Sequence, residues 1–230
     1  MTAEERTRSL RRILALDSAQ ARCSAGIIQD GRILAEQQET LQRGQAARLP
    51  VMLQAVLHAA GLPAAAFDLI AVTIGPGSFT GIRAGLALAH GLALATARPL
   101  VAVSAGEALA EMLPPLDGRM LWSAIDSRRG RIFLERGPDI ASFGLEALPD
   151  PSGPVAVTGD AAGAVAARLA ARGHDVLLTD ARLPTPLGIA LAALRRADGT
   201  LPPRLAQPLY VDAPEVRLPA GGLRPPPAAA

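Results

Sequence analysis

The sequence predicts an α/β protein of two related halves, the second a reduced copy of the first. Three observations carry this. Strand-like runs come first in a block of three and then alternate with helix-like runs. A glycine-rich turn, GPGSFTGIRAG at residues 75–85, joins an apolar strand to a long apolar helix. After a proline-containing break, the same order of elements returns in shorter form. Half of the 230 residues are hydrophobic, enough for a substantial core.

RRILALD reads as a buried strand ending at Asp17. CSAGIIQDGRILAEQQE reads as two strands around Gln29-Asp30-Gly31, where an Asp-Gly pair suits a tight hairpin. Residues 45–60 follow a helical period, with Leu49, Met52, Leu53, Val56, Leu57 and Ala60 on one face. Pro50 is tolerated only in a first turn, so this helix is expected to begin near Ala46 or Ala47; Gly61 stops it. LIAVTI is a fourth strand, residues 79–97 a second helix, PLVAVS a fifth strand and AGEALAEML a third helix. LPPLDGR, residues 113–119, reads as the hinge. Beyond it, MLWSAIDSRRGRIFLERG gives two strands and ASFGLEAL a weaker third. PVAVTGD and HDVLLTD are strands flanking the helix AAGAVAARLAARG, and PTPLGIALAALRRADG is a last helix. No clear helix follows the second hairpin. The expected division is residues 1–112, residues 113–216 and a disordered tail over 217–230. Two βββαβα-type halves make the duplicated actin-like fold (ASKHA, ribonuclease H-like) that sugar kinases and the Hsp70 ATPase share.

Composition excludes several function classes. The formal net charge is +2, too small to argue for a nucleic-acid surface. The lone cysteine, Cys23, rules out an internal disulfide framework and lies in a strand, where a core role outweighs a nucleophilic one. The most apolar stretch, GLALAHGLALATARPLVAV, contains His90, Arg98 and Pro99 and makes a poor membrane span. A soluble, cytoplasmic protein without a membrane partner is expected. His58, His90 and His174 show no metal-ligand spacing, so no metal site is expected.

The glycine turn raises the question of phosphate binding. The chain has no lysine, which excludes a P-loop, and the glycines do not fit a dinucleotide fingerprint. Ser78 can cap the following helix, and Gly81 and Gly85 allow close packing; an anion at the helix N-terminus is the alternative. In actin-like ATPases the first hairpin turn cradles phosphate. Here Asp17 and Ser18 are present, but Ala19, Gln20 and Arg22 stand where glycine and threonine are needed. Asp126 ends the equivalent strand and is followed by Arg128 and Arg129. Asp17, Ser18 and Asp126 therefore mark a vestigial nucleotide cleft, with plain strand-end turns or an active cleft as alternatives.

The second helix carries two ionisable residues, Arg83 and His90, seven apart on one face. A helix apolar nearly all round must be covered nearly all round. Either the second half covers it or another subunit does. The candidate interface comprises Leu49, Met52, Leu53 and Val56 of the first helix, with Phe79, Ile82, Arg83, Gly85, Leu86 and His90 of the second.

ILALDSA, GRILAE, DLIAVTIGPGSFTGIRAGLALAHGLALA, PLVAVSAGEALA, AIDSRRGRIF and PLYVDAPEV together resemble the TsaB (YeaZ) family over most of residues 12–216, with GPGSFTGIR the most specific mark. The resemblance implies an actin-like fold without reliable catalytic residues of its own. It implies a heterodimer with TsaD, which carries the metal and the transferase site, and work alongside TsaE and TsaC. Together these make threonylcarbamoyladenosine beside the anticodon of tRNAs that read codons beginning with A. ATP and metal would then sit on partner subunits rather than on this chain alone, and tRNA would be reached indirectly. The family pairs through helices of the N-terminal domain, and a lone chain can self-pair there as a homodimer. An M22-type glycoprotease label is common in the family. TsaD-type proteins place a metal-binding histidine pair on the first helix, whereas this chain has only His58 there, so the residues give that label no support. The rival class is a degraded actin-fold ATPase or small-molecule kinase.

Overall fold

The computed structural model describes residues 11–41 and 43–212. The tail expected over 217–230 lies outside the described residues. The first half contains β1 (Arg12–Asp17), β2 (Arg22–Gln29), β3 (Arg32–Thr40), α1 (Gln45–Ala60), β4 (Leu69–Thr73), α2 (Phe79–Thr96), β5 (Leu100–Val103) and α3 (Ala105–Ala110). The second contains β6 (Met120–Asp126), β7 (Ile132–Arg136), β8 (Asp139–Phe143), β9 (Val155–Thr158), α4 (Ala162–Ala171), β10 (Val176–Leu178) and α5 (Pro186–Ala197).

The duplication is explicit in the pairing. The first sheet runs β3-β2-β1-β4-β5 and the second β8-β7-β6-β9-β10. In each, the first three strands are antiparallel and the next two join in parallel beside the first. The second copy is reduced where α1 would be: a single 3-10 turn, Leu145–Ala147, takes its place.

Period-two alternation sorts the first sheet into two apolar faces. Leu14, Leu16, Cys23, Ala25, Ile27, Ile70 and Val72 meet α1 and α2. Ile13, Ala15, Ile28, Leu69, Ala71 and Val103 meet Ile189, Ala190, Ala192 and Ala193 of α5. The last helix of the chain thus closes the sheet of the first half. Pro186 at its start fits because β2 offers Gly26, where a Cβ would lie 2.4 Å from the Pro186 Cβ. In exchange, α3 places Ala105 and Leu109 against Ile125 and Ala181 of the second half. A clamp ties α5 to α3. Arg196 donates to Glu107 at 2.6 and 3.1 Å, and Arg204 adds a bond at 3.1 Å.

α1 begins one residue before the expected start, so Pro50 falls beyond the first turn; its missing N–H is the one that would have reached Ala46. Gly61 ends the helix in the left-handed region, with its N–H on the His58 carbonyl.

Candidate functional site

The glycine loop and the first hairpin turn are one structure. Ser78 caps α2, its Oγ accepting from the Gly81 N–H at 3.2 Å, and its own N–H donates to the Ala19 carbonyl at 2.6 Å. The Ser18 Oγ donates to the Gly81 carbonyl at 2.8 Å. A Cβ at Gly77 would meet the Ala19 oxygen at 2.1 Å, one at Gly81 the Ser18 oxygen at 1.9 Å, and one at Gly85 the Ser18 Oγ at 2.8 Å. Three glycines are therefore required so that α2 can lie directly on the β1–β2 turn.

This bears on the nucleotide that the fold class suggests. A phosphate cradle needs free backbone N–H groups and open space at that turn. The Ala19 N–H instead donates to the Asp17 Oδ1 at 2.8 Å, and the turn's carbonyls face α2. The residues present do not fit a phosphate there. Asp17 is fully buried; burial raises its carboxyl to about 6, against the pull of hydrogen bonds from Thr73 and Ala19. Its Oδ2 has no partner, nor do the side-chain amide atoms of Gln20 or the Ser24 hydroxyl, all of them buried.

The equivalent turn of the second half is built differently. The Asp126 N–H donates to the Asp160 Oδ1 at 2.8 Å, and Asp126 accepts from the Arg128 N–H at 2.8 Å. The Arg128 guanidinium pairs with Asp126 at 3.4 Å and Asp160 at 3.1 Å. Arginine fills this turn with an internal ion pair. A second buried carboxylate, Glu135 on β7, reaches α3, where it accepts from the Ser104 hydroxyl and from the Gly106 N–H at 3.0 Å. Burial and neighbouring Glu107 push it up to about 7. Burial works against Glu107 as well, but the Arg196 guanidinium holds it below the usual carboxylate range. Burial raises the Cys23 thiol to about 12, so it is inert core. Among the described residues no group of three or more His, Cys, Asp or Glu could hold a metal ion.

The candidate interface residues divide sharply. Leu49, Met52, Leu53, Val56, Ile82, Gly85 and Leu86 are buried in the chain's own core against the first sheet. Within this chain their side chains face its own first sheet rather than the surface. The helical stripe that suggested an interface is the stripe facing the sheet, and helical period alone does not distinguish the two. Phe79, Arg83 and His90 are exposed, and all three hold the extended segment after α5. The Phe79 and Tyr210 rings stack at 5.4 Å. Arg83 lies over Phe79 at 3.8 Å and donates from Nε to the Tyr210 hydroxyl at 2.7 Å. His90 Nε2 lies 2.9 Å from the Ala206 carbonyl.

The surface left open on α2 is a different strip: Thr80, Ala87, Gly91, Leu94 and Ala95 are exposed, and none is charged. Leu94 is 87% exposed, and a Cβ at Gly91 would meet nothing within 4 Å. Val51 of neighbouring α1 is 48% exposed. The sequence argument that α2 carries more apolar surface than one copy covers holds for this strip, not for the residues first assigned to it.

Comparison with known proteins gives these features a context. The model of the family TsaD: tRNA N6-adenosine threonylcarbamoyltransferase matches residues 32–174. The Escherichia coli "tRNA threonylcarbamoyladenosine biosynthesis protein TsaB" is 36% identical over 124 residues, 53% of each chain. The chain spans about half the length of the curated TsaB relatives it matches. An uncharacterized Mycobacterium tuberculosis protein is 30% identical over 219 residues, 89% of this chain and 93% of its own. YeaZ from Pseudomonas aeruginosa superposes with a TM-score of 0.71 at 29% identity, covering 87% of this chain and all of YeaZ. The two sheets of identical strand order are the duplicated actin-like fold. With a family model matched over more than half its length and the YeaZ fold reproduced along most of it, the chain belongs to the TsaB/YeaZ group of the TsaD family.

Proposed function

We propose that this chain is a non-catalytic partner subunit that binds a TsaD-type protein, with TsaE, and so activates formation of the threonylcarbamoyl group on adenosine next to the tRNA anticodon. The observation that carries the reading is the uncharged, uncovered strip of α2 around Gly91 and Leu94. The TsaD model matches residues 32–174, which include both α1 and α2, so a TsaD-type chain would offer a related helix pair to the same surface. The filled first turn supports leaving ATP to partner subunits. tRNA is reached through the complex, in the cytoplasm, and the isolated chain self-pairs through the same strip.

Co-expression with the cognate TsaD homologue tests this directly. Wild-type chain co-purifies and raises the yield of the modified nucleoside in a reconstituted assay. Leu94→Glu co-purifies poorly and loses that stimulation, with its unfolding midpoint unchanged. Retention of the complex by this variant refutes the surface.

A second reading has one observation in its favour: the partnerless polar atoms of Asp17, Gln20 and Ser24 lie together at the first turn. With the turn closed to phosphate, a degraded actin-fold ATPase or kinase would have to satisfy them with another part of its ligand. Calorimetric titration of the isolated chain with magnesium and ATP decides. Micromolar binding favours that enzyme reading, and heats of dilution alone favour the partner subunit. Tight stoichiometric zinc would be needed for a metallopeptidase.

A further inference from the structure

The segment after α5 runs as an extended strap, Leu201 to Asp212, back across the first half. It has few backbone bonds of its own. The Leu201 N–H reaches the Arg195 carbonyl at 2.9 Å, the Leu209 N–H the Ile74 carbonyl at 2.9 Å and the Gln207 N–H the Leu205 carbonyl at 2.8 Å. Side chains of other elements hold the rest. Arg196 donates to the Pro202 carbonyl at 2.8 Å, His90 meets the Ala206 carbonyl, and Arg83 and Phe79 grip Tyr210. At the far end, the Ser142 hydroxyl of the second half donates to the Asp212 Oδ2 at 3.1 Å.

The strap packs the partly buried Ala206 and Leu209 against the core, while Leu205 is 73% exposed. A single exposed leucine means little. Leu205, however, directly precedes the residue bound by His90, and Leu94 is one helical turn beyond His90 on the same side of α2. The two most exposed large apolar side chains among the described residues therefore flank one histidine. The strap thus runs along the Phe79–Arg83–His90 side of α2, beside the open strip, with the half-exposed Tyr210 stacked on Phe79 and Leu205 next in sequence to the His90 contact.

We propose that the strap is the third element of the partner-binding platform, with Leu205 contacting the partner and Arg83 and His90 acting as positioning residues that hold the strap in place. The proposal rests on the reading of α2 as the TsaD-type docking face. Its occupant is the helix pair of that partner: the added surface is apolar, and the neighbouring cation, Arg83, is committed to the two aromatic rings and the tyrosine hydroxyl. It also accounts for the two ionisable side chains of α2, which the helix does not need for its own packing.

The test uses the full chain with its cognate TsaD homologue and measures affinity for Leu94→Ser, Leu205→Ser, Arg83→Ala and the double variant Arg83→Ala/Leu205→Ser. Leu94 and Leu205 are exposed, so neither serine variant should alter folding. Leu94→Ser and Leu205→Ser should each weaken the complex about tenfold, the scale of one interface anchor. Arg83→Ala should weaken it too, and should speed hydrogen exchange at the Leu209 amide without moving the global unfolding midpoint. In the double variant the Arg83 change should add little to Leu205→Ser. Loss with Leu94→Ser but none with Leu205→Ser overturns the strap proposal and leaves the α2 face standing. Loss with neither overturns the α2 reading itself. Multiplicative losses in the double variant show Arg83 touching the partner directly and overturn its positioning role. Weakened self-association of the isolated chain, with the heterodimer unaffected, overturns the assigned occupant.

Discussion

Gly81 and Gly91 lie ten residues apart on the same helix, and replacing each by alanine should move stability in opposite directions. A Cβ at Gly81 would sit 1.9 Å from the Ser18 carbonyl oxygen and 3.0 Å from its carbon. An unstrained C···O contact lies at about 3.3–3.6 Å, so the hairpin turn and the helix would have to separate by roughly 1.5 Å. That movement would break the bond from the Ser18 hydroxyl to Gly81 and the one from the Ser78 N–H to Ala19. Overpacking costs about 1–3 kcal/mol and each lost bond about 1 kcal/mol, while alanine returns at most about 1 kcal/mol of helix propensity. The net expectation for Gly81→Ala is a loss of about 2–4 kcal/mol. Gly91 faces open space, so Gly91→Ala should keep only the propensity gain, about 1 kcal/mol. Urea unfolding followed by far-UV circular dichroism reads both, with unchanged m-values showing that stability alone has moved. If Gly81→Ala falls within about 0.5 kcal/mol of wild type, the level of an ordinary surface change, the close approach of helix to turn is wrong.

Four further outcomes are expected. Gly85→Arg and Leu86→Glu should unfold the protein rather than detach a partner, because both side chains enter the core; a folded, partner-free monomer by circular dichroism and gel filtration would contradict the burial. Arg196→Ala should cost about 1.5–3 kcal/mol in urea unfolding, since it removes the two Arg196 bonds from the largely buried Glu107 and leaves Arg204 as its cationic partner; a loss under about 1 kcal/mol would show that the α3–α5 clamp is ornamental. Asp17 and Glu135 have folded-state values of about 6 and about 7, above their unfolded 3.8 and 4.5. Their stability is fully present below the unfolded values and lost as pH rises through the folded ones, about 3 kcal/mol each at 1.36 kcal/mol per unit. The urea midpoint should therefore be higher at pH 5.5 than at pH 8, and Asp17→Asn should flatten that slope while raising the midpoint at pH 8. A midpoint that rises with pH in wild type would contradict the burial of both carboxylates.

Much of the fold could be read in the sequence because its signals are local. The Asp-Gly hairpin, the Ser78 cap and the alternation of strand and helix each follow from a few neighbouring residues. The bounds of α1 and α2 came within a residue or two of the periodic runs. What failed was the assignment of faces. Leu49, Met52 and Leu86 are apolar at helical spacing, and that pattern is the same whether the stripe meets a sheet or a subunit. The telling residues were the weak ones: Ala87 and Gly91 look like helix filler, yet they line the open side. The strap was unreadable for another reason. Its hold on Arg83 and His90 spans more than a hundred residues of sequence, and an irregular extended segment has no period. Only the presence of Leu205, Leu209 and the sole tyrosine among prolines hinted that it was more than linker.

The placement of α5 has a consequence for biosynthesis. While the ribosome is still making the middle of the chain, the strands of the first sheet already exist, but Ile13, Ala15, Ile28, Leu69 and Val103 have little beyond Ala108 of α3 to lie against until residues 186–197 emerge. A fragment ending at the hinge would keep that greasy flank wet and should be sticky and chaperone-bound, so the two lobes are not separable modules. Completion of the last helix is the event that seals the nascent protein.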